Sequence, residues 1–292
     1  MQARHLLIFG YGYTSAAIAR RLIPLGWRIS GTTRSASRFG AIAADGATPL
    51  LFGPAGIPDA AGALSTVTHT LSSAPPGDDG DPALVAHAAD LARAPHLRWL
   101  GYLSTTGVYG DAGGGWVDET TPAEPVHDRA RRRVDAEAAW TALAGDMGKT
   151  AAIFRLPGIY GPGRSTFDNL KAGTAKRMIK QGQVFSRIHV DDIAAAVAVA
   201  AGRDIGGVFN VADDEPAPPQ DVVTCAAELL GIAPPPEEDF EAVKHRLSPM
   251  ALEFYGASRR ISNRKMRETL GVDLAYPTYR EGLRGILAQA GN

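Results

Sequence analysis

Cysteine is almost absent: Cys225 is the only one in 292 residues. A single thiol excludes an intrachain disulfide framework and a cysteine-based zinc site, and no metal is expected. It lies in the segment 221–227, read as a helix interior where the thiol packs. No apolar run is long enough to cross a bilayer. The first residues lack the basic region, long apolar stretch and cleavage site of a secretory signal, so a cytoplasmic protein with no membrane partner is expected. Net charge is also missing. Thirty Lys and Arg against 31 Asp and Glu leave −1, which gives no basic footprint for nucleic acid. The local cluster Arg129, Arg131, Arg132 and Arg133 is followed by Asp135 and Glu137 and reads as a solvated helix face. Repeats and linker-like low-complexity runs are lacking too. The chain reads as one compact unit, long enough to bury about three quarters of its unfolded surface.

What is present is an alternation of strand and helix patterns. Strands are expected at His5–Phe9, Trp27–Thr33, Ala47–Phe52, Thr66–Leu71, Arg98–Leu103, Thr150–Arg155 and Gly207–Val211. Helices are expected at Ala16–Leu22, Pro82–Arg93, Asp128–Leu143 and from about His189 to Ala201. Such alternation makes an α/β fold, a parallel sheet covered by helices on both faces. Ligands of such sheets bind beyond the carboxyl ends of the strands, where the strand order reverses. Residues 158–182 are loop-rich, and prolines accumulate after Ala212. The expected division is a dinucleotide-binding core at 1–157, rejoined by 183–212. A smaller substrate-side region is formed by 158–182 and 213–292.

Gly10-Tyr11-Gly12-Tyr13-Thr14-Ser15 stands between the first strand and its helix. Gly10 permits a tight exit from the strand. Gly12 has no Cβ, so a pyrophosphate can approach the backbone while the first amides of the helix face it. Ser15 replaces the third glycine of the G-x-G-x-x-G pattern and is small enough for helix–strand packing. Gly10, Gly12, Tyr13 and Thr14 are therefore cofactor-binding candidates. Ser72, Ser73 and Ala74, at the end of the fourth strand, join them. After the second strand an NAD site usually carries Asp or Glu. Here Arg34 and Ser35 occupy that place, with Ser37 and Arg38 behind. Arginine suits a 2′-phosphate, so NADP(H) is expected over NAD(H).

The chain resembles the extended short-chain dehydrogenases/reductases, the NAD(P)-dependent epimerase and dehydratase superfamily. The residues that carry the resemblance are the glycine turn, Ser104-Thr105-Thr106-Gly107-Val108-Tyr109-Gly110, Arg155-Leu156-Pro157-Gly158-Ile159-Tyr160-Gly161-Pro162-Gly163 and His189-Val190-Asp191-Asp192. Asn210-Val211-Ala212-Asp213 and Ser262-Asn263-Arg264-Lys265 also fit. The resemblance implies a Rossmann-type doubly wound sheet with a small C-terminal substrate-binding region, a small-molecule substrate and, by analogy, a homodimer. It assigns Thr105 to the reacting oxygen and adds Ser104, Arg133 and Pro157 to the cofactor candidates. The family also places a tyrosine and a lysine in a Y-x-x-x-K pair. Registering on Pro125 and on Glu137 puts Arg129 and Arg133 at those positions. A guanidinium does not release its proton, so Arg129 is no general base. The chain looks like an atypical subgroup that lacks the pair.

Tyr109 and Tyr160, at the ends of the fifth and sixth strands, are the alternative proton donors. His127 is a further candidate, read more simply as a solvated loop residue. His189 is read as bracing a turn ahead of an Asp191 helix cap. Gly113-Gly114-Gly115-Trp116 is either a lid with a stacking indole or a turn with a core anchor. Sugar-nucleotide relatives tend to place an arginine where Ser186 stands, so a nucleotide diphosphate is not assured. Arg155, Arg164 and Arg187 remain for an anionic substrate. Two functions follow: an NADP(H)-dependent oxidoreductase or epimerase-like enzyme with altered acid–base groups, or a non-catalytic NADP(H)-binding redox sensor.

Overall fold

The computed structural model describes residues 4–290. Seven parallel strands form the central sheet: β1 (His5–Phe9), β2 (Arg28–Thr33), β3 (Thr48–Leu51), β4 (His69–Ser72), β5 (Trp99–Thr105), β6 (Thr150–Leu156) and β7 (Gly207–Asn210). Their order is β7-β6-β5-β4-β1-β2-β3. The chain builds outward from β1 to β3, then returns to place β4 on the other side of β1. The switch point therefore lies between β1 and β4, beside the glycine turn. The strand ends drift by up to three residues from the sequence pattern, most at β4, which starts at His69 and takes in Ser72.

Both faces are buried, which is why β1 is apolar from Leu6 to Phe9. Leu6 and Ile8 join the core on one side, with α1 (Tyr13–Leu22) and the later helix Val190–Gly202. Leu7 and Phe9 face the opposite core. That core is closed by α4 (Pro82–Arg93) and α5 (Asp128–Asp146). Two short helices that the pattern did not reveal, α2 (Phe39–Ala44) and α3 (Ala60–Leu64), complete the first half. The segment after β6 is more ordered than its loop-like composition suggests. Gly158–Tyr160 pairs in parallel with Arg187–His189, and α6 (Thr166–Lys171) lies between them. The helix Val190–Gly202 is α7. Beyond β7 come α8 (Pro219–Leu229), α9 (Phe240–Val243), α10 (Pro249–Tyr255) and α11 (Tyr279–Ala290). Residues of α8 and α11 share a small core with Tyr160 and Phe167. Cys225 is half-buried against that core, with no disulfide.

Two buried histidines sit at the amino ends of the strands. His5 meets Ser30 Oγ at 2.8 Å and Thr66 Oγ1 at 3.0 Å. His69 meets Thr68 Oγ1 at 2.7 Å and Asp204 Oδ1 at 2.9 Å. Burial pushes both imidazoles down from 6.5 to about 4. A folded pKa below the unfolded one gives stability that is complete above 6.5 and is lost as pH falls towards 4. For His69 the loss amounts to about 2 kcal/mol by pH 5. The carboxyl of Asp213, held up by burial, acts in the opposite sense. The histidine share is therefore read by difference. Urea unfolding of His69→Gln is expected to fall with pH less steeply than that of the wild type between 6.5 and 5, and equal slopes would contradict it.

Candidate active site

The glycine turn is shaped to receive an anion. Gly10 lies at φ +85°, a conformation costly for side chains, and its amide donates to Thr32 Oγ1 at 2.9 Å. A Cβ there would come within 3.0 Å of the Ala74 amide nitrogen. Ser15 Oγ donates to the Gly10 carbonyl at 2.9 Å. The residue in the third glycine's place thus fastens the turn as well as fitting under it. Gly12 is the N-cap of α1. No side chain caps this helix, and its first turn has no acidic residue. The leading amides are orphan donors at the positive end of the helix. A Cβ on Gly12 would meet nothing within 4 Å, so the space over the turn is open.

That space continues into a cavity of about 540 Å³. Gly10, Gly12, Arg34, Ser73 and Ala74 all line it. Arg38, Phe52 and Val85 also line it, and the sequence reading had given Phe52 and Val85 no role in binding. Arg34 and Arg38 are exposed at its rim, and neither guanidinium has an ion-pair or hydrogen-bond partner among the described residues. Open amides, an apolar slot and two uncommitted guanidiniums fit a phosphorylated dinucleotide.

The side chains of other expected cofactor residues are engaged elsewhere. Ser72 is fully buried, and its hydroxyl donates to Asp81 Oδ2 at 2.8 Å, where Asp81 also caps α4 through the Ala83 amide. Ser35 Oγ pairs with Ser37 Oγ at 2.7 Å. Tyr13 donates to the Pro162 carbonyl at 3.1 Å, and Thr14 is buried in the first turn of α1. Pro157 joins β6 to the short strand Gly158–Tyr160.

At the ends of β5 and β6, one carboxylate organises the scaffold. Glu137 of α5 accepts from Ser104 Oγ at 2.5 Å. It also accepts from Arg155 Nη2 at 2.7 Å and from Nε at 3.1 Å. All three residues are buried, so Ser104 and Arg155 are fixed inside and not offered to a ligand. The Arg155 guanidinium lies over the Tyr109 ring, 4.8 Å from its centroid. Tyr109 is 3% exposed and gives its hydroxyl to Asn210 Oδ1 at 2.8 Å. Burial pushes its pKa up. Tyr160 is buried too, its hydroxyl 3.4 Å from the Thr278 carbonyl, and burial raises its pKa strongly. Both phenols donate their protons within the protein in this structure.

Thr105 is half-buried, and its Oγ1 accepts from the Gly107 amide at 3.1 Å, which leaves the hydroxyl proton to donate. Arg133 Nη1 donates to the Leu103 carbonyl at 2.7 Å and to Tyr102 Oη at 3.2 Å, so it is tied to β5. Arg129 is exposed. His127 is the N-cap position of α5, and its Nε2 is buried without a partner, which overturns the solvated-loop reading. His189, not Asp191, is the N-cap of α7, with Nδ1 accepting from the Asp191 amide at 3.2 Å. Trp116 is 63% exposed and is no core anchor. Ser186 is buried and accepts from the Ile261 amide at 3.0 Å.

A doubly wound parallel sheet with an anion cradle at its switch point defines the dinucleotide-binding class of fold. A model described as the NAD dependent epimerase/dehydratase family matches residues 6–212, and the chain belongs to that family. Its activity falls in the NAD(P)-dependent oxidoreductase or epimerase class, acting on small molecules. Protein YeeZ of Escherichia coli (strain K12) is 29% identical over 245 residues, covering 80% of this chain and 86% of its own length. The 3-diazoavenalumate denitrifying reductase of a Streptomyces species is 29% identical over 213 residues, 68% of either chain. The structure of a functionally unknown conserved protein from Silicibacter pomeroyi DSS is 50% identical, covers 99% of this chain and 100% of its own, and superposes with a TM-score of 0.90. No helix among the described residues is long and apolar enough to cross a membrane.

Proposed function

We propose that this protein is an NADP(H)-dependent reductase of a small polar acceptor, working without the tyrosine–lysine pair of its relatives. The observation that carries the reading is the pair of uncommitted guanidiniums, Arg34 and Arg38, on the rim of the cavity that begins at the glycine turn. They fit the 2′-phosphate, while the leading amides of α1, from Gly12 onward, fit the pyrophosphate. Phe52 and Val85 offer an apolar wall for the base. Bound there, the reduced nicotinamide supplies a hydride. Thr105 holds the acceptor's heteroatom by donating its hydroxyl proton, a bond that neutral acceptors need and that an already electrophilic one can forgo. A proton from solvent completes the reduction. One named relative is a reductase, which favours one-way hydride delivery over epimerisation.

The test is consumption of NADPH by the purified chain with a panel of carbonyl, imine and nucleotide-sugar acceptors. At least one small polar acceptor is expected to oxidise NADPH. Thr105→Val should then lower kcat without changing the dissociation constant for NADPH, and Tyr109→Phe should stay near wild type. If nothing in the panel oxidises NADPH that calorimetry shows to be bound, the redox-sensor reading replaces this one.

A further inference from the structure

A second cavity of about 510 Å³ opens just past the end of β6, between the ladder of Gly158–Tyr160 with Arg187–His189 and the helices α6, α8 and α11. It shares no lining residue with the dinucleotide cavity. We infer that it binds a small organic carboxylate with an apolar body, held at its charged end by Arg187 and Tyr279. This names the substrate class of the proposed reductase. It rests on that reading only in taking the ligand for the hydride acceptor.

Arg187 is held in place before any ligand arrives. Its Nη1 donates to the Phe185 carbonyl at 2.9 Å and to the Ala217 carbonyl at 3.1 Å, and the guanidinium lies over the Tyr279 ring, 6.0 Å from its centroid. Its Nε and Nη2 have no acceptor among the described residues. Nor has it an ion pair within 4 Å among the described residues, and Asp213 acts on its charge only from beyond that distance. Tyr279 is 1% exposed and lines the same cavity, yet its buried hydroxyl has no partner. A buried hydroxyl without a partner costs stability unless a ligand completes it. The nearby carboxyl of Asp213 is also buried with both oxygens unpartnered; burial pushes it up to about 8, and the Arg187 charge acts on it in the opposite sense.

The rest of the wall sets the ligand's body. Ile159, Val222 and Leu283 are apolar, and the Tyr160 ring closes one side. The acidic group on the wall, Asp168, has one oxygen engaged by the Ser165 amide at 2.7 Å and by the Ser165 hydroxyl at 2.8 Å. Arg164 is exposed at the rim, 5.8 Å from the Tyr13 ring centroid. One fixed guanidinium and one hydroxyl donor suit a single carboxylate. A diphosphate would need more donors than this end of the cavity offers.

The experiment is titration calorimetry of the full chain with 3-phenylpropanoate, its uncharged twin 3-phenylpropanamide, and UDP-glucose, each with and without NADPH. The carboxylate is expected to bind with Kd below about 1 mM, and the amide at least about tenfold more weakly. Arg187→Gln should abolish that preference. Tyr279→Phe, which removes no protein hydrogen bond, should weaken the carboxylate by severalfold in a normally folded chain. NADPH affinity should be unchanged in both variants. Equal binding of acid and amide, no binding of either, tighter binding of UDP-glucose, or an unaltered Tyr279→Phe would overturn the inference. NADPH is titrated separately, so a chain that binds it and ignores the carboxylate defeats this inference alone. One that binds the carboxylate and ignores NADPH defeats the reductase reading alone.

Discussion

Glu137→Leu is expected to destabilise the protein by about 3–5 kcal/mol, the cost of stranding a buried charge. Glu137 and Arg155 are 7% and 8% exposed, so water cannot solvate the guanidinium once its partner is gone. Ser104 would lose its acceptor in the same step. The damage should spread, because α5, β5 and β6 all meet at this carboxylate and Arg155 supports the Tyr109 ring. Attraction between the pair is not itself the source of so large an effect, since desolvation offsets much of it. The double variant Glu137→Leu/Arg155→Met should accordingly recover most of the loss. Urea unfolding of the two variants beside the wild type checks this. A double variant no more stable than the single would show that packing around Arg155, and not its stranded charge, carries the cost.

Arg34→Ala is expected to weaken NADPH by about 10- to 100-fold while leaving NADH nearly unchanged, as loss of one charge-assisted bond to a phosphate predicts. Arg34 has no protein partner to lose, so the fold should tolerate the change. Arg38, on the same rim, should give a smaller loss of the same kind. The advantage of NADPH should also shrink as salt is added, because both groups are solvent-exposed and screened. Calorimetry with both cofactors is decisive. Equal losses for NADH and NADPH would mean that Arg34 serves the shared pyrophosphate, and no loss would remove the basis for NADP(H).

The contrast between these two arginines marks how far the sequence could be read. Local patterns carried the strand–helix alternation, the glycine turn and the basic residue after β2, because each depends on neighbours a few positions away. Arg155 and Arg34 look equally available in the sequence. Only the meeting of α5 with β5 and β6 shows that Arg155 is consumed inside. The partner of Tyr109 is hidden for the same reason, since its acceptor, Asn210, lies 101 positions later. The partner of Ser72 is hidden at shorter range, because the buried acceptor at Asp81 becomes visible only when α4 docks. The Arg187 cavity was legible only as a charge. Its walls come from a three-residue ladder too short to leave a pattern and from helices near the chain's end.

The separation of the two hollows has an evolutionary side. On the proposed reading, substitutions at the tip of β2 trade one redox currency for another without disturbing the chamber beside α11. Changes in that chamber can retune what is accepted without touching the glycine turn. A lineage built this way can diversify its chemistry along two independent axes, and a designer can graft along either one alone.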